Sequence, residues 1–310
     1  MSEQKNFPNN SNSSSQLNIT PLTQPLCGVR ALFKQIELLG RNSNDRPYAI
    51  VKKDNNKIYA AKLIEKKGFN GQTKRTLEVS KLINPKTESG ESTFHPDPNS
   101  SSRIFKYDLR YHDGYKFLES TANKGGEMFL IPNYIGLDPN GDNGIGAAFV
   151  KQFTCFFLEI DDRGIEEQWK LINWFCNLTG LVPLLVVFSG GKSLHVYFGI
   201  SGEFTDRARW QRIQRKLILI FKSDYQIQNP NREMRLAGVV RASKNRHQSI
   251  EYYSVARYTV DEFEERLDAL GWFPHGLSYE RWLKARRDWF TDNDSRSFAE
   301  KEESLKGILA

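Results

Sequence analysis

The chain has 310 residues, 39% of them apolar, and its 44 Lys and Arg outnumber 37 Asp and Glu to leave a formal charge of +7. Mean hydropathy is −0.58, and no apolar run approaches the roughly 18–20 residues of a membrane helix. The N-terminus lacks the basic-then-apolar order of a secretory signal. Three cysteines without a close pair offer neither a disulfide framework nor a CxxC zinc site. A soluble protein of a reducing cytoplasm, with no membrane partner, is expected. The positive excess admits a nucleic-acid partner without requiring one.

In chain order, the first twenty residues hold five Asn, five Ser and two Gln, a composition that cannot offset the entropy of ordering, so residues 1–22 read as a disordered tail. Leu32, Ile36 and Leu39 fall at helical spacing and Gly40 closes that segment, predicting a helix over residues 29–39. Two β-prone runs, Tyr48-Ala-Ile-Val51 and Ile58-Tyr-Ala-Ala61, flank the polar turn Asp54-Asn-Asn56 and predict a hairpin. Residues 84–102 are rich in Pro, Ser, Thr and Asn and read as an exposed loop.

A short strand at 128–131 and a Gly-, Asn- and Pro-rich loop at 132–146 precede the run Phe153-Thr-Cys-Phe-Phe-Leu-Glu-Ile160, which ends in Asp161 and Asp162. Ile165, Trp169, Ile172 and Cys176 repeat at helical spacing up to Gly180. Strands are predicted at 182–188, 194–200 and 249–256, and a helix at 206–222 with Thr205 as its cap. Thr259-Val-Asp-Glu262 has capping-box spacing and opens a helix that ends near Gly271. Residues 279–310 read as charged and helical. Strands and helices mix without a βαβ rhythm, which predicts an α+β fold with a largely antiparallel sheet.

Three constellations carry chemistry. Along a strand, Glu159 and Asp161 project from one face about 6–7 Å apart. Two carboxylates at the mouth of an apolar strand suit a hard cation such as Mg²⁺ or Mn²⁺, which takes oxygen ligands and leaves positions open for phosphate. The same acids also suit a structural role at the start of the next helix, where negative charge meets the N-terminal dipole.

The second constellation is Ser189-Gly-Gly-Lys-Ser-Leu-His195. It lacks the leading glycine of a nucleotide-hydrolase phosphate loop, and a strand follows it instead of a helix. Its backbone N–H groups, with Lys192 and Ser193, can still cradle an anion. His195 shares a strand face with Ser193, as a ligand-facing side chain or as a satisfied core histidine.

The third is a basic field. Between Arg207 and Arg246, eleven Lys or Arg stand against Asp224 and Glu233. Arg209, Arg212, Arg215 and Lys216 fall on a helix and read either as a solvated face or as a phosphate track. Arg232, Arg235, Arg241, Lys244 and Arg246 lie in irregular sequence, free to converge on phosphates. Asp224 is the isolated acid of that field.

In this order the motifs resemble the archaeo-eukaryotic primase superfamily, above all the primase-polymerases of plasmids, phages and mobile elements. The resemblance rests on Phe157-Leu-Glu-Ile-Asp-Asp162, with Glu159 where Asp is usual; on Ser193-Leu-His195 behind its glycine turn; on Ser223-Asp224; and on Arg235-Leu-Ala-Gly238 with Lys244 trailing. Upstream, Phe129-Leu-Ile-Pro-Asn133 belongs to it as well. It covers residues 127–258.

The resemblance implies an N-terminal αβ module over 23–126, a catalytic core over 127–258 with an RRM-like sheet, and a C-terminal helical segment over 259–310. It implies nucleotidyl transfer on a single-stranded DNA template, with Glu159, Asp161 and Asp224 holding two Mg²⁺ or Mn²⁺ ions. Ser189, Lys192, Ser193, His195, Arg235 and Lys244 would hold the triphosphate of an NTP or dNTP. Arg209, Arg212, Arg241 and Arg246 would meet the template, and a helicase module or protein is an expected partner. A metal-dependent nuclease and a non-catalytic plasmid replication initiator that binds DNA are the alternatives.

Overall fold

A computed structural model describes residues 17–40, 119–120, 122–135, 146–273 and 278–290, together with the strand backbones at 47–53, 58–67, 73–83, 95–96 and 105–108. The expected turn at 54–56, residues 1–16, most of the loops at 84–102 and 132–146, and residues 291–310 lie outside these.

The fold is α+β, built around two largely antiparallel sheets. The first sheet contains the hairpin β1 (Pro47–Lys53) and β2 (Ile58–Lys67), continued by β3 (Thr73–Ile83) and β4 (Phe105–Asp108). On the other side, β1 pairs with β5 (Glu127–Leu130), which pairs in turn with the two-residue β9 (Met234–Arg235). Within the stretch read as a loop, His95–Pro96 pairs with Leu82 and Ile83.

The second sheet holds the site. Its central strand β8 (Leu194–Ile200) lies between β7 (Leu185–Phe188) and β6 (Cys155–Ile160), antiparallel to both. Beyond β7 runs β10 (Ser249–Tyr253), and the short β11 (Arg257–Tyr258) pairs parallel with the end of β8. Every residue of β7 and β8 is buried, which is why both read as unbroken apolar runs instead of alternating ones.

Helices cover both faces. Helix α1 (Gly28–Leu39) buries Ala31, Leu32, Gln35, Ile36 and Leu39, and packs beside β10. Helices α2 (Ile165–Thr179), α3 (Arg207–Phe221) and α4 (Val260–Asp268) pack on the other face, where Phe175 meets Phe198 and Phe221, and Phe263 meets Phe156 and Phe198. Helix α5 (Tyr279–Phe290) buries Trp282 against this group. No described helix is long and apolar enough to cross a membrane, and all three cysteines are free.

Local chemistry sets the ends. Gly180 closes α2 in the left-handed conformation, its N–H donating to the Cys176 carbonyl. The cap of α3 is Asp206, not Thr205, because Asp206 Oδ1 accepts from the Arg209 N–H at 2.9 Å. Thr259 caps α4 as expected, accepting from the Glu262 N–H, while the Glu262 carboxylate accepts from Arg266 instead of closing the box. β7 starts two residues after Pro183, which has no N–H for the ladder. β10 stops at Tyr253, where Ser254 turns the chain by donating to the Pro183 carbonyl.

Residues 17–22, assigned to the tail by composition, pack against the core instead. Ile19 is buried, and Asn173 of α2 brackets it, accepting from its N–H at 2.6 Å and donating to its carbonyl at 2.9 Å. One turn later, Asn177 donates to the Leu17 carbonyl. Leu22 and Leu26 then donate to carbonyls of β10. One apolar side chain and a pair of helix amides suffice to order a segment whose composition is otherwise that of a tail.

Candidate active site

The acidic side of the site depends on how an edge strand is satisfied. Among the described residues no strand pairs with the outward backbone groups of β6, and α3 supplies side chains instead. Trp210 Nε1 donates to the Cys155 carbonyl, and Gln214, one turn on, bonds both backbone groups of Phe157. Ser223 Oγ, beyond the helix end, accepts from the Glu159 N–H at 3.1 Å and donates to the Glu159 carbonyl at 2.6 Å. This docking brings Asp224 beside Glu159: the Asp224 N–H donates to the same carbonyl at 3.3 Å.

The carboxylates themselves meet through Arg232. Its Nη2 lies 3.1 Å from Asp224 Oδ2 and 3.6 Å from Glu159 Oε2. Asp224 Oδ1 accepts from the Gln226 N–H, capping a short 3-10 turn at Tyr225–Gln228. Asp161 lies beyond the strand, with Lys192 Nζ 3.3 Å away in an exposed pair that adds little stability on its own. Asp162 turns aside into a two-bond pair with Arg163. Among the described residues, no three His, Cys, Asp or Glu side chains stand together at metal-holding spacing.

His195 sits directly across from Glu159 in the β6–β8 register and is only 2% exposed. The Arg235 N–H points at Nδ1 from 3.2 Å, which makes Nδ1 the acceptor and leaves the ring proton on Nε2. Nε2 is buried without a hydrogen-bond partner, 3.6 Å from Glu159 Oε1. Burial alone would raise the Glu159 pKa; His195 and Arg232 outweigh it and bring the carboxyl down to about 2. Glu159 is therefore a firmly ionised carboxylate with an imidazole behind it and a guanidinium to one side. The histidine faces this acid, not the glycine turn.

The turn itself is held internally. The Ser193 N–H donates to Ser189 Oγ, and the Ser189 N–H to the Ser193 carbonyl. Gly190 has φ +70°, and a Cβ there would also press on the Arg246 carbonyl at 3.0 Å. Gln168, buried on α2, donates to the carbonyls of Arg163 and Lys192 and accepts from the Leu194 N–H, each at 2.7 Å. One glutamine thus ties the loop after the acids to the glycine turn.

The opposite wall is basic. Arg235 stacks on Phe129, its cross-strand partner, at 4.4 Å and pairs with Glu127, whose carboxylate also lies 3.8 Å from Arg241. Arg246 stacks on Phe188 at 4.6 Å, and its Nη1 lies 3.4 Å from the Gly191 carbonyl. Two buried glutamines hold the chain between them: Gln35 bonds the Arg235 carbonyl and the Ala237 N–H, and Gln248 donates to the Leu236 carbonyl. Gly238, at φ +93°, lets this segment touch the backbone of Gly28 and Leu32 at the start of α1, where any side chain would collide.

Between the walls lies a cleft of about 520 Å³. It is lined by Glu159 and Asp161 on one side, the Ser189-Gly-Gly-Lys-Ser193 turn below, and Arg235, Arg241, Lys244 and Arg246 opposite. Most of the residues singled out from the sequence are here. His195 stands behind Glu159, and Asp224 lies beyond it; neither lines the cleft.

Arg209 and Arg212 are elsewhere. Both grip Glu264 of α4, at 2.8 and 3.0 Å, and Arg209 also reaches Asp261. Lys216, 2% exposed, pairs with Glu264 and Asp268, and Arg215 lies over the rings of Tyr279 and Trp282. The residues expected to meet the template from this helix thus lie outside the cleft, where their charges fasten α4 and α5. Sequence reasoning placed Arg232 in the basic field and gave no role to Glu127, Gln35 or Gln168. Glutamines carry no charge pattern, and Glu127 gains its partners only through strand pairing.

No family model matches the chain, and no curated protein does. Three solved structures are similar to it. One is the AEP domain of the cyanophage S-2L primase-polymerase, 18% identical with a TM-score of 0.46, covering 77% of this chain and 97% of that one. A second is the catalytic domain of primase RepB′ in complex with initiator DNA, at 12%, 0.43, 78% and 94%. The third is primase RepB′, at 13%, 0.42, 85% and 68%. Likenesses of this depth assign no chemistry, which rests on the residues of the cleft.

Proposed function

We propose that this chain is a primase-polymerase, transferring nucleotides to a growing strand on a single-stranded DNA template. One observation carries the reading: a single cleft joins the paired acids Glu159 and Asp161 to a glycine turn and four cations, Arg235, Arg241, Lys244 and Arg246. A nucleoside triphosphate needs both, a basic wall for its phosphates and oxygen donors for the cation it brings.

The donor set at the cleft fits such a cation. Two carboxylates beside phosphate oxygens and water are an ordinary Mg²⁺ or Mn²⁺ environment, and Glu159 and Asp161 would hold the ion. When bound, it supplies a lowered pKa for a 3′-hydroxyl and charge balance at the phosphate under attack. Arg235 and Lys244, with Lys192 beside the turn, would bind the triphosphate. Arg241 and Arg246 reach over the same space to the template or the β- and γ-phosphates. His195 and Ser223 keep Glu159 aimed, one from behind and one along its backbone.

The test is incubation of the full chain with a labelled primer on single-stranded DNA and Mn²⁺, with and without nucleotides. Extended products that require nucleotides support the proposal. Shortened products without nucleotides identify a nuclease instead, and tight DNA binding with neither product identifies a non-catalytic initiator.

A further inference from the structure

The three acids read from the sequence do not share one space. Glu159 and Asp161 line the cleft, whereas Asp224 lies beyond Glu159 with Arg232 between them. Asp224 has both oxygens engaged, Oδ1 by the Gln226 N–H at 2.9 Å and Oδ2 by Arg232 at 3.1 Å. The guanidinium is held on its far side too, Nη1 donating to Gln226 Oε1 at 2.6 Å, and its Nε is buried. One short turn thus presents an acid and an amide that together grip a single arginine.

Two neighbouring carboxylates in a half-buried place repel unless a positive charge separates them. A guanidinium is permanently charged and donates in a fixed fork. A Mg²⁺ or Mn²⁺ bridging the two acids would need oxygen contacts at about 2.0–2.2 Å, in the gap that Arg232 Nη2 fills.

We infer that Arg232 takes the place of one of two cations, so that the nucleotide-free protein binds a single divalent ion at Glu159 and Asp161, with Asp224 as partner of the arginine and not as metal ligand. This rests on the reading of Glu159 and Asp161 as cation ligands, and the experiment separates the two claims.

The experiment is Mn²⁺ titration of the full chain without nucleotide, followed by calorimetry and by the EPR signal of free Mn²⁺. The parent should bind one ion. Asp161→Asn should remove it, whereas Asp224→Asn, which keeps the capping oxygen, should change its affinity less than about twofold, far short of the roughly 10–100-fold expected of a residue that supports a metal. Arg232→Met should admit a second ion, and the double variant Arg232→Met with Asp224→Asn should lose it again.

Two ions in the parent, one of them removed by Asp224→Asn, would overturn the role of Arg232 and leave the cation site standing. Binding indifferent to both Asp161→Asn and Glu159→Gln would overturn both claims. Should Arg232→Met fail to fold, the parent stoichiometry and the Asp224→Asn arm decide alone.

Discussion

Two stretches of this chain carry nearly the same density of Lys and Arg and have opposite fates. In α3, Arg209, Arg212 and Lys216 converge on Glu264, and Arg215 lies over aromatic rings of α5. In residues 235–246, Arg235, Arg241, Lys244 and Arg246 border an open cleft that also holds two acids and a glycine turn. Charge count does not separate the two regions; what each charge faces does. A regular helix must bury one side, and its arginines find acids on the helix that covers them. Arg241 and Arg246 lie against Gly190 and Gly191, whose missing side chains leave room for them above the turn.

Substitutions in the two regions should therefore diverge. Among substitutions in these two basic regions, the largest effect is expected for Arg235→Gln. A charged hydrogen bond is worth about 1.5–3 kcal/mol, so the KM for nucleotide should rise roughly ten- to hundredfold while template affinity holds. Equal weakening of both would move Arg235 from the nucleotide to the DNA.

Next is Glu264→Gln, which leaves Arg209, Arg212 and Lys216 without their common acid. It should cost about 1–3 kcal/mol of stability, read as a lower melting temperature with the rate per folded molecule unchanged. The pH dependence has a definite sign. Burial raises the Glu264 carboxyl, but Arg212, Arg209 and Lys216 bring it below its ordinary 4.5. Its contribution is complete above that value and is lost as pH falls through the lowered one. Glu264→Gln should flatten this acid limb of the stability curve, and an unaltered limb would place the acid sensitivity elsewhere.

The smallest effect is expected for Arg212→Ala. Glu264 keeps Arg209 and Lys216, so stability should fall by no more than about 1 kcal/mol. Extension and single-stranded DNA affinity should stay within about twofold of the parent. A steep loss of DNA affinity would return this helix to the template.

The contrast also explains what the sequence made legible. Continuous apolar runs at 155–160 and 194–200 announced buried strands, and the acids and glycines at their ends marked the rim of the cleft. Those signals are local: strand period, turn chemistry and charge at a strand mouth. The pairing of Arg209 and Arg212 with Glu264 spans more than fifty residues, and no spacing rule reaches that far. Arg232 looked like its basic neighbours because only the fold shows that the Asp224 turn faces it. His195 was expected to face the nucleotide; register sets it opposite Glu159 instead, and the Arg235 N–H fixes which nitrogen faces the acid. Leu17 to Thr20 were assigned to the tail because two asparagines on a helix carry no sign of what they hold.

The most direct test of the account is primer extension by Asp161→Asn beside the parent, with folding followed by melting. Asp161 is partly exposed and makes one exposed ion pair, so its stability should be unchanged. Nucleotide incorporation should fall by about 10²–10³ or more, as for removal of a group that stabilises transition-state charge. Extension at the parent rate by a folded Asp161→Asn protein would contradict the assignment of the cleft.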